Sequence, residues 1–234
     1  MIDWHSHILP KMDDGSKSVE ESLELLSMLS AQGVDTVIAT PHFYANDESV
    51  DRFLERRAEC YGRLCDALSD GVPKILLGAE VSYYSGISRL EGLSRLCIEG
   101  TDLLLLEMPF THWSDSVIRE VIEIATQRSV TVILAHIERY IDMQSGGVFD
   151  ELREYGVLMQ VNASFFCRMT TKRHACKLLA KGKIQLIGSD THNVSHRPPM
   201  LDAAYSTIER KLGNEFLNEI NGYGHFLLDK IYKQ

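Results

Sequence analysis

The sequence predicts an α/β domain whose parallel strands curl into a closed or nearly closed barrel. Apolar runs alternate along 234 residues with stretches of helical period, the order expected of repeated βα units. KILLGAE, DLLLLE, VTVILAH and VLMQVN are apolar almost without interruption, which suits parallel strands covered on both faces. No G-x-G-x-x-G turn follows the first strand, as it would in a nucleotide-binding open sheet. An open doubly wound sheet is the alternative.

IDWH opens the chain as a short strand. SVEESLELLSMLSAQG then places Val19, Leu23, Leu26 and Leu29 on one helical face, with Ser18 and Glu21 in capping-box spacing and Gly33 as the stop. VDTVIAT is a β-branched strand, and a charged helix over about 47–70 ends at Gly71 and Pro73. KIQLIGSD is the last strand, and helical patterns fall near 114–128, 170–182 and 199–220. The total is seven or eight strands. No repeat, low-complexity tract or Pro/Gly/Ser-rich linker divides the chain, so one domain over 1–234 is expected.

Composition narrows the function classes. No run reaches the roughly 18 apolar residues of a membrane helix, and no basic-then-apolar leader is seen. Five cysteines (Cys60, Cys65, Cys97, Cys167, Cys176) form an odd set without framework spacing, as expected of a reduced, cytoplasmic protein. A net charge of −9 argues against extended contact with nucleic acid. It leaves room for an anionic substrate, because local cations can reverse the sign inside a cleft. The acidic segment 47–59 reads as a solvated helix face or a contact between subunits of a homo-oligomer.

The chemistry sits where the strands end. His5 and His7 share a strand face, an arrangement that fits a metal pair or simply two polar residues at a strand end. The later runs deliver His42, Glu80, Glu107 and His136, and then Asp190 and His192. Six strands thus finish in residues able to bind a metal. In a parallel barrel those ends share one rim, where active sites lie. Gathering carboxylates and imidazoles there is costly unless cations compensate them.

The segments HSHILPKMDDG, VIATPHF, LGAE, LLLLEMPF, LAHIERY and LIGSDTHNVSHRPP resemble the motifs of the polymerase and histidinol phosphatase (PHP) superfamily. Within it they most resemble the capsule-type bacterial tyrosine-protein phosphatases, from residue 2 to about 201. The resemblance implies a distorted TIM-like barrel of about seven βα units and a centre of three divalent metal ions. His5, His7, Glu80 and Asp190 would hold the first ion, with Glu80 bridging to a second completed by Glu107 and His136. Asp14, His42 and His192 would hold the third. Arg139 and Arg197 match positions that bind the substrate phosphate. The implied substrate is a phosphotyrosine protein, a tyrosine autokinase controlling capsule or exopolysaccharide synthesis. Ile137, Phe43, Lys11 and Met12 depart from the family pattern without removing a ligand.

Three divalent ions would outweigh the four carboxylates, and the two arginines add to that excess. Bound metal can bring the pKa of water down to about 7, giving a nucleophile for in-line attack on phosphorus. A tyrosinate, with a reference pKa of about 10, needs little protonation to leave. His192 is a candidate to assist if it is not committed to metal. Phe110 and Trp113 in MPFTHWSD either wall a slot for the tyrosine ring or close the barrel top as ordinary loop residues. Manganese, iron and zinc all suit a mixed histidine and carboxylate set, manganese foremost.

Three rivals stand beside this reading. Cys167 and Arg173 bracket a C-x5-R spacing like that of cysteine-dependent phosphatases, but RMTTK lacks the glycines that let backbone N–H groups converge on an anion. Another PHP activity, such as hydrolysis of histidinol phosphate or a small phosphate ester, is the nearer alternative. A non-enzymatic scaffold binding a phosphorylated partner is the third. His112, His174 and His225 read as surface or helix residues, and His196 as a candidate to line the mouth beside Arg197.

Overall fold

Residues 1–127 and 129–229 are described by the computed structural model; residue 128, the end of the expected 114–128 helix, and residues 230–234 lie outside them. Every strand pairing is parallel. β1 (Ile2–Ser6), β2 (Thr36–Ala39) and β4 (Lys74–Leu77) form one run. β3 (His42–Phe43), β5 (Glu80–Ser82), β6 (Leu103–Glu107), β7 (Thr131–Leu134), β8 (Leu158–Asn162) and β9 (Leu186–Gly188) form the other. The VDTVIATPH and KILLGAE segments, each expected from the sequence as a single strand, are broken once, giving β2 then β3 and β4 then β5. Gly78 N–H to Ala39 O (2.8 Å) and Glu80 N–H to Pro41 O (3.0 Å) carry the pairing across the breaks. Asp190 N–H to His5 O (2.7 Å) and His7 N–H to Thr191 O (2.9 Å) join the last strand region to the first. The result is a curled parallel sheet.

Helices α1 (Val19–Ala31), α2 (Val50–Cys65), α3 (Asp115–Gln127), α4 (Val148–Glu154), α5 (Ser164–Cys167), α6 (Lys172–Ala180), α7 (Leu201–Leu212) and α8 (Asn214–Asp229) follow the strands. Ser18 caps α1 by accepting the Glu21 N–H, while the Glu21 carboxylate reaches back to the N–H of Lys17. The expected 199–220 helix is two helices, parted at Gly213, whose φ of +94° suits a residue without a side chain.

Alternate residues of the strands enter two separate cores. Ile2, Trp4, Ile38, Leu76, Leu105 and Ile133 pack inside the curl, closed at one end by Leu227 and Leu228 of α8. Val37, Leu104, Leu106, Val132, Met159 and Ile187 pack outward under the helices. Both strand faces are therefore apolar, which explains the unbroken hydrophobic runs. β1 pairs Asp3 with Val37 but Ser6 with Ala39, an extra residue relative to β2. That irregularity resets the side-chain alternation after Trp4, and His5 and His7 enter the rim cluster instead of facing the helices.

Candidate metal centre and phosphate site

Glu80 stands at the middle of the cluster. Its Oε2 lies 3.2 Å from His5 Nε2, 3.3 Å from His7 Nε2 and 3.0 Å from His42 Nδ1, while Oε1 is 2.8 Å from His136 Nε2. Asp190 Oδ1 faces the first pair at 3.7 Å (His5) and 3.5 Å (His7). Glu107 Oε1 lies 3.4 Å from His136 Nε2. Asp14 Oδ1 is 3.4 Å from both His42 Nε2 and His192 Nε2. Separations near 3.0–3.5 Å are about the edge lengths of a coordination polyhedron with bonds of roughly 2.0–2.2 Å. All nine sequence-predicted ligands are brought together.

The local backbone explains how each arrives. Glu107 ends β6, Glu80 begins β5 and His42 begins β3. His136 (φ +33°) and Asp190 (φ +53°) adopt the left-handed region, uncommon for residues with side chains and a recurrent feature of functional sites. Gly188 lets the last strand close on the first: a Cβ there would stand 2.5 Å from His5 Cβ. Gly15 does the same beneath His7, where a Cβ would collide with the His7 carbonyl.

The buried carboxylates and imidazoles of the cluster hold one another in their charged forms. Burial disfavours a charged His7, yet its hydrogen bond with Asp13 and the facing carboxylate of Glu80 lift its pKa well above the ordinary imidazole value. His136 is likewise pressed down by burial but raised to about 9 by Glu107 and Glu80. Glu80 is held well below the usual carboxylate range, the facing imidazoles of His5, His136 and His42 outweighing its complete burial. Buried His42 Nδ1, Glu80 Oε2 and His192 Nε2 have no hydrogen-bond partner among the described residues. Three unsatisfied buried polar atoms in a set of imidazoles and carboxylates fit divalent cations.

A supporting layer escaped the sequence reading. Asp13 Oδ2 accepts from His7 Nδ1 (2.7 Å) and from the His42 N–H (3.0 Å), which orients two ligands. Gln160 Oε1 accepts the His136 N–H at 2.7 Å, and Asn162 Nδ2 donates to Asp190 Oδ2 at 2.7 Å. The signal was present: Gln160 and Asn162 are polar residues two apart in the apolar run VLMQVN. Tyr44 stacks on His42 with centroids 5.5 Å apart and is also on the rim.

Arg139 Nη2 and Arg197 Nη2 each donate to Asp190 Oδ2 at 2.6 Å, and both guanidiniums are partly exposed. They line a cleft of about 490 Å³ with Glu138, Asn162, Arg168 and His196. His192 is driven the other way from the raised imidazoles: burial and the neighbouring His7 lower it to about 4. Its Nδ1–H donates to the Asp190 carbonyl at 3.0 Å, leaving Nε2 as a lone pair.

One expectation needs correction, and one rival reading falls away. Trp113 does not wall a slot: it is 1% exposed, packed against Tyr140 and Phe149, with its indole N–H donated to Pro109 O. Phe110, 64% exposed beside Tyr140, is the aromatic residue open to solvent in that loop. The Cys167 and Arg173 pairing also fails. The Cys167 thiol points at the Ala163 and Met200 carbonyls, and burial, with Asp202, raises its pKa. Arg173 sits on α6 and lines a different cavity. Of the departing residues, Phe43 packs on Phe53 in the outer core and Ile137 is buried, so neither faces the cleft. His112, His174, His225 and His196 are exposed.

Similarity to known proteins agrees with this geometry. A tyrosine-protein phosphatase CpsB of Streptococcus pneumoniae is 31% identical over 236 residues, covering 94% of both chains. The tyrosine-protein phosphatase YwqE of Bacillus subtilis is 28% identical, covering 92% of this chain and 86% of that protein. A crystal structure from work on YwqE of Bacillus subtilis and CpsB of Streptococcus pneumoniae, described as unique metal-dependent tyrosine phosphatases, superposes with a TM-score of 0.84 at 25% identity, covering 98% of this chain and 94% of that one. The family model for capsular polysaccharide synthesis, CpsB/CapC, matches residues 1–223. With its histidine- and carboxylate-tipped strand ends and paired arginines, this chain belongs to the CpsB/CapC family.

Proposed function

We propose that the chain is a metal-dependent protein-tyrosine phosphatase, one phosphatase domain over 1–234 whose strand pairs β2/β3 and β4/β5 count as single broken strands of a distorted seven-stranded barrel. The observation that carries this reading is the convergence on one rim of nine metal-ligand candidates with two arginines fixed on Asp190. His5, His7, Glu80 and Asp190 would hold one ion, Glu80, Glu107 and His136 a second, and Asp14, His42 and His192 a third. Manganese is the first choice, with iron and zinc behind it. When bound, such ions supply Lewis acidity and an activated water for attack on phosphorus.

The remaining work belongs to the chain itself. Arg139 and Arg197 take the phosphate oxygens, and their anchoring on Asp190 holds both guanidiniums in place before substrate arrives. His192, neutral and with Nε2 as its free lone pair, acts as a ligand in this reading and not as the acid that protonates the leaving group. Tyrosinate tolerates that, because its conjugate acid has a pKa of about 10. Phe110, exposed beside Tyr140, is the loop aromatic we assign to the substrate ring. The physiological substrate we assign is a cytoplasmic tyrosine autokinase governing capsule or exopolysaccharide synthesis.

The test is turnover of p-nitrophenyl phosphate with added manganese, followed by phosphotyrosine peptides, phosphoserine peptides and histidinol phosphate. Preference for phosphotyrosine is expected. Preference for histidinol phosphate would move the chain to another activity of its superfamily, and binding without turnover would make it a scaffold.

A further inference from the structure

The chain carries a net charge of −9, yet residues 168–183 contain six of its 24 lysines and arginines and no aspartate or glutamate. Arg173, Lys177 and Lys181 recur every fourth residue along α6 and the turn after it, so they form one stripe, and all three are exposed. Helix stability does not account for the placement. Lys172 and Arg173 occupy the first turn of α6, where the helix dipole disfavours cations, and like charges four residues apart repel. Asp150 pairs with Lys183 and Arg153, but no ion pair among the described residues involves Arg168, Arg173, Lys177 or Lys181.

The stripe also lines a depression. A cavity of about 480 Å³ is bounded by Thr170, Arg173, Lys177, Lys181 and Lys183. The cleft that contains Arg139 and Arg197 is lined by Arg168 and Thr171 as well. Thr170 of this depression lies in the chain between Arg168 and Thr171 of the arginine cleft, so the turn 168–171 sets the basic stripe next to the candidate phosphate site.

We propose that this groove binds the acidic flank of the substrate: a phosphotyrosine peptide seated at Arg139 and Arg197 lays aspartate or glutamate side chains along Arg168, Arg173, Lys177 and Lys181. The proposal rests on the phosphatase reading of the neighbouring cleft. Eight residues of helical rise separate Arg173 from Lys181, about 12 Å, the reach of roughly four extended peptide residues. The enzyme then selects tyrosines in acidic sequence, even though its overall charge would repel such a partner.

The experiment measures binding, so that it does not depend on turnover. Two fluorescent peptides carry a non-hydrolysable phosphotyrosine phosphonate, one flanked by glutamates and one by serines. Each is titrated with the manganese-loaded protein and with its Lys177→Glu/Lys181→Glu and Lys177→Ala/Lys181→Ala variants, thermal melts checking the fold. The parent should bind the glutamate-flanked peptide about tenfold more tightly. That preference should shrink with alanine, vanish with glutamate and fade as salt rises. Equal binding of both peptides by the parent, or an undiminished preference in the glutamate variant, would overturn the proposal. A parent that prefers the acidic peptide but hydrolyses no phosphotyrosine substrate supports the groove and refutes the proposed activity. Co-sedimentation with phosphatidylglycerol vesicles, without any peptide preference, would assign the stripe to a membrane surface and overturn it.

Discussion

His5 Nε2 and His7 Nε2 face one another at 3.1 Å, and Glu80 Oε2 lies within 3.3 Å of both. Two imidazole nitrogens held that close need a proton or a cation between them. Glu80→Ala should remove the hub of the cluster, lowering the number of manganese ions bound per chain and reducing p-nitrophenyl phosphate turnover by roughly 10³-fold or more. Elemental analysis of the purified variant checks the first expectation. A full complement of ions would sink the assignment.

Asp13 makes a sharper comparison, because it touches ligands without belonging to the expected set. Asp13→Asn should weaken manganese affinity about 10–100-fold by loosening His7 and His42. Saturating metal should restore most of the activity. Titrating activity against free manganese separates this behaviour from that of Asp14→Asn, where a ligand itself is lost.

Arg139→Ala and Arg197→Ala should each keep the bound metal and lower kcat/KM by about 10²-fold. Inorganic phosphate should inhibit each variant less strongly than the parent. Unchanged phosphate inhibition in both would remove the arginines from the phosphate site.

Chelation and alkylation should act oppositely. Removing metal with EDTA should abolish turnover, and iodoacetamide near pH 8 should leave it intact. Cys167 is half-buried with a raised pKa, so it offers little thiolate at that pH. Cys167→Ser should therefore retain parental kcat. Its inactivity with fold and metal preserved would revive the cysteine reading.

The two aromatic residues of the loop after β6 should separate cleanly. Trp113→Ala removes a fully buried ring and should cost about 3–5 kcal/mol of stability, seen as a lower melting temperature. Phe110→Ala should leave melting nearly unchanged and raise KM for phosphotyrosine peptides several-fold.

The strand-end cluster of ligand candidates was legible because a histidine or carboxylate closing an apolar run is conspicuous against its neighbours. Consecutive acids were harder. Asp13 and Asp14 differ by one position, yet Asp13 is buried under His7 while Asp14 is largely exposed to the rim. Nothing local distinguishes them, since the choice depends on how Gly15 presses the turn against His7. Trp113 misled for a related reason: closeness to Glu107 in sequence says nothing about which side of the loop packs on Tyr140 and Phe149. The basic stripe spans α6 and its flanking turns, and nothing in the sequence places Arg168 and Thr171 beside the arginine cleft.

Gly188 and the hydrogen bond from Asp190 to His5 bring the last strand region into register with the first. Asp190 and the N-terminal histidines are 185 and 183 residues apart in sequence, so no partly assembled chain can present the complete cage. Affinity for cations is then a property of the finished topology alone. By mass action, every ion captured draws the folding equilibrium toward completion, and starvation for metal would be felt as fragility as much as silence.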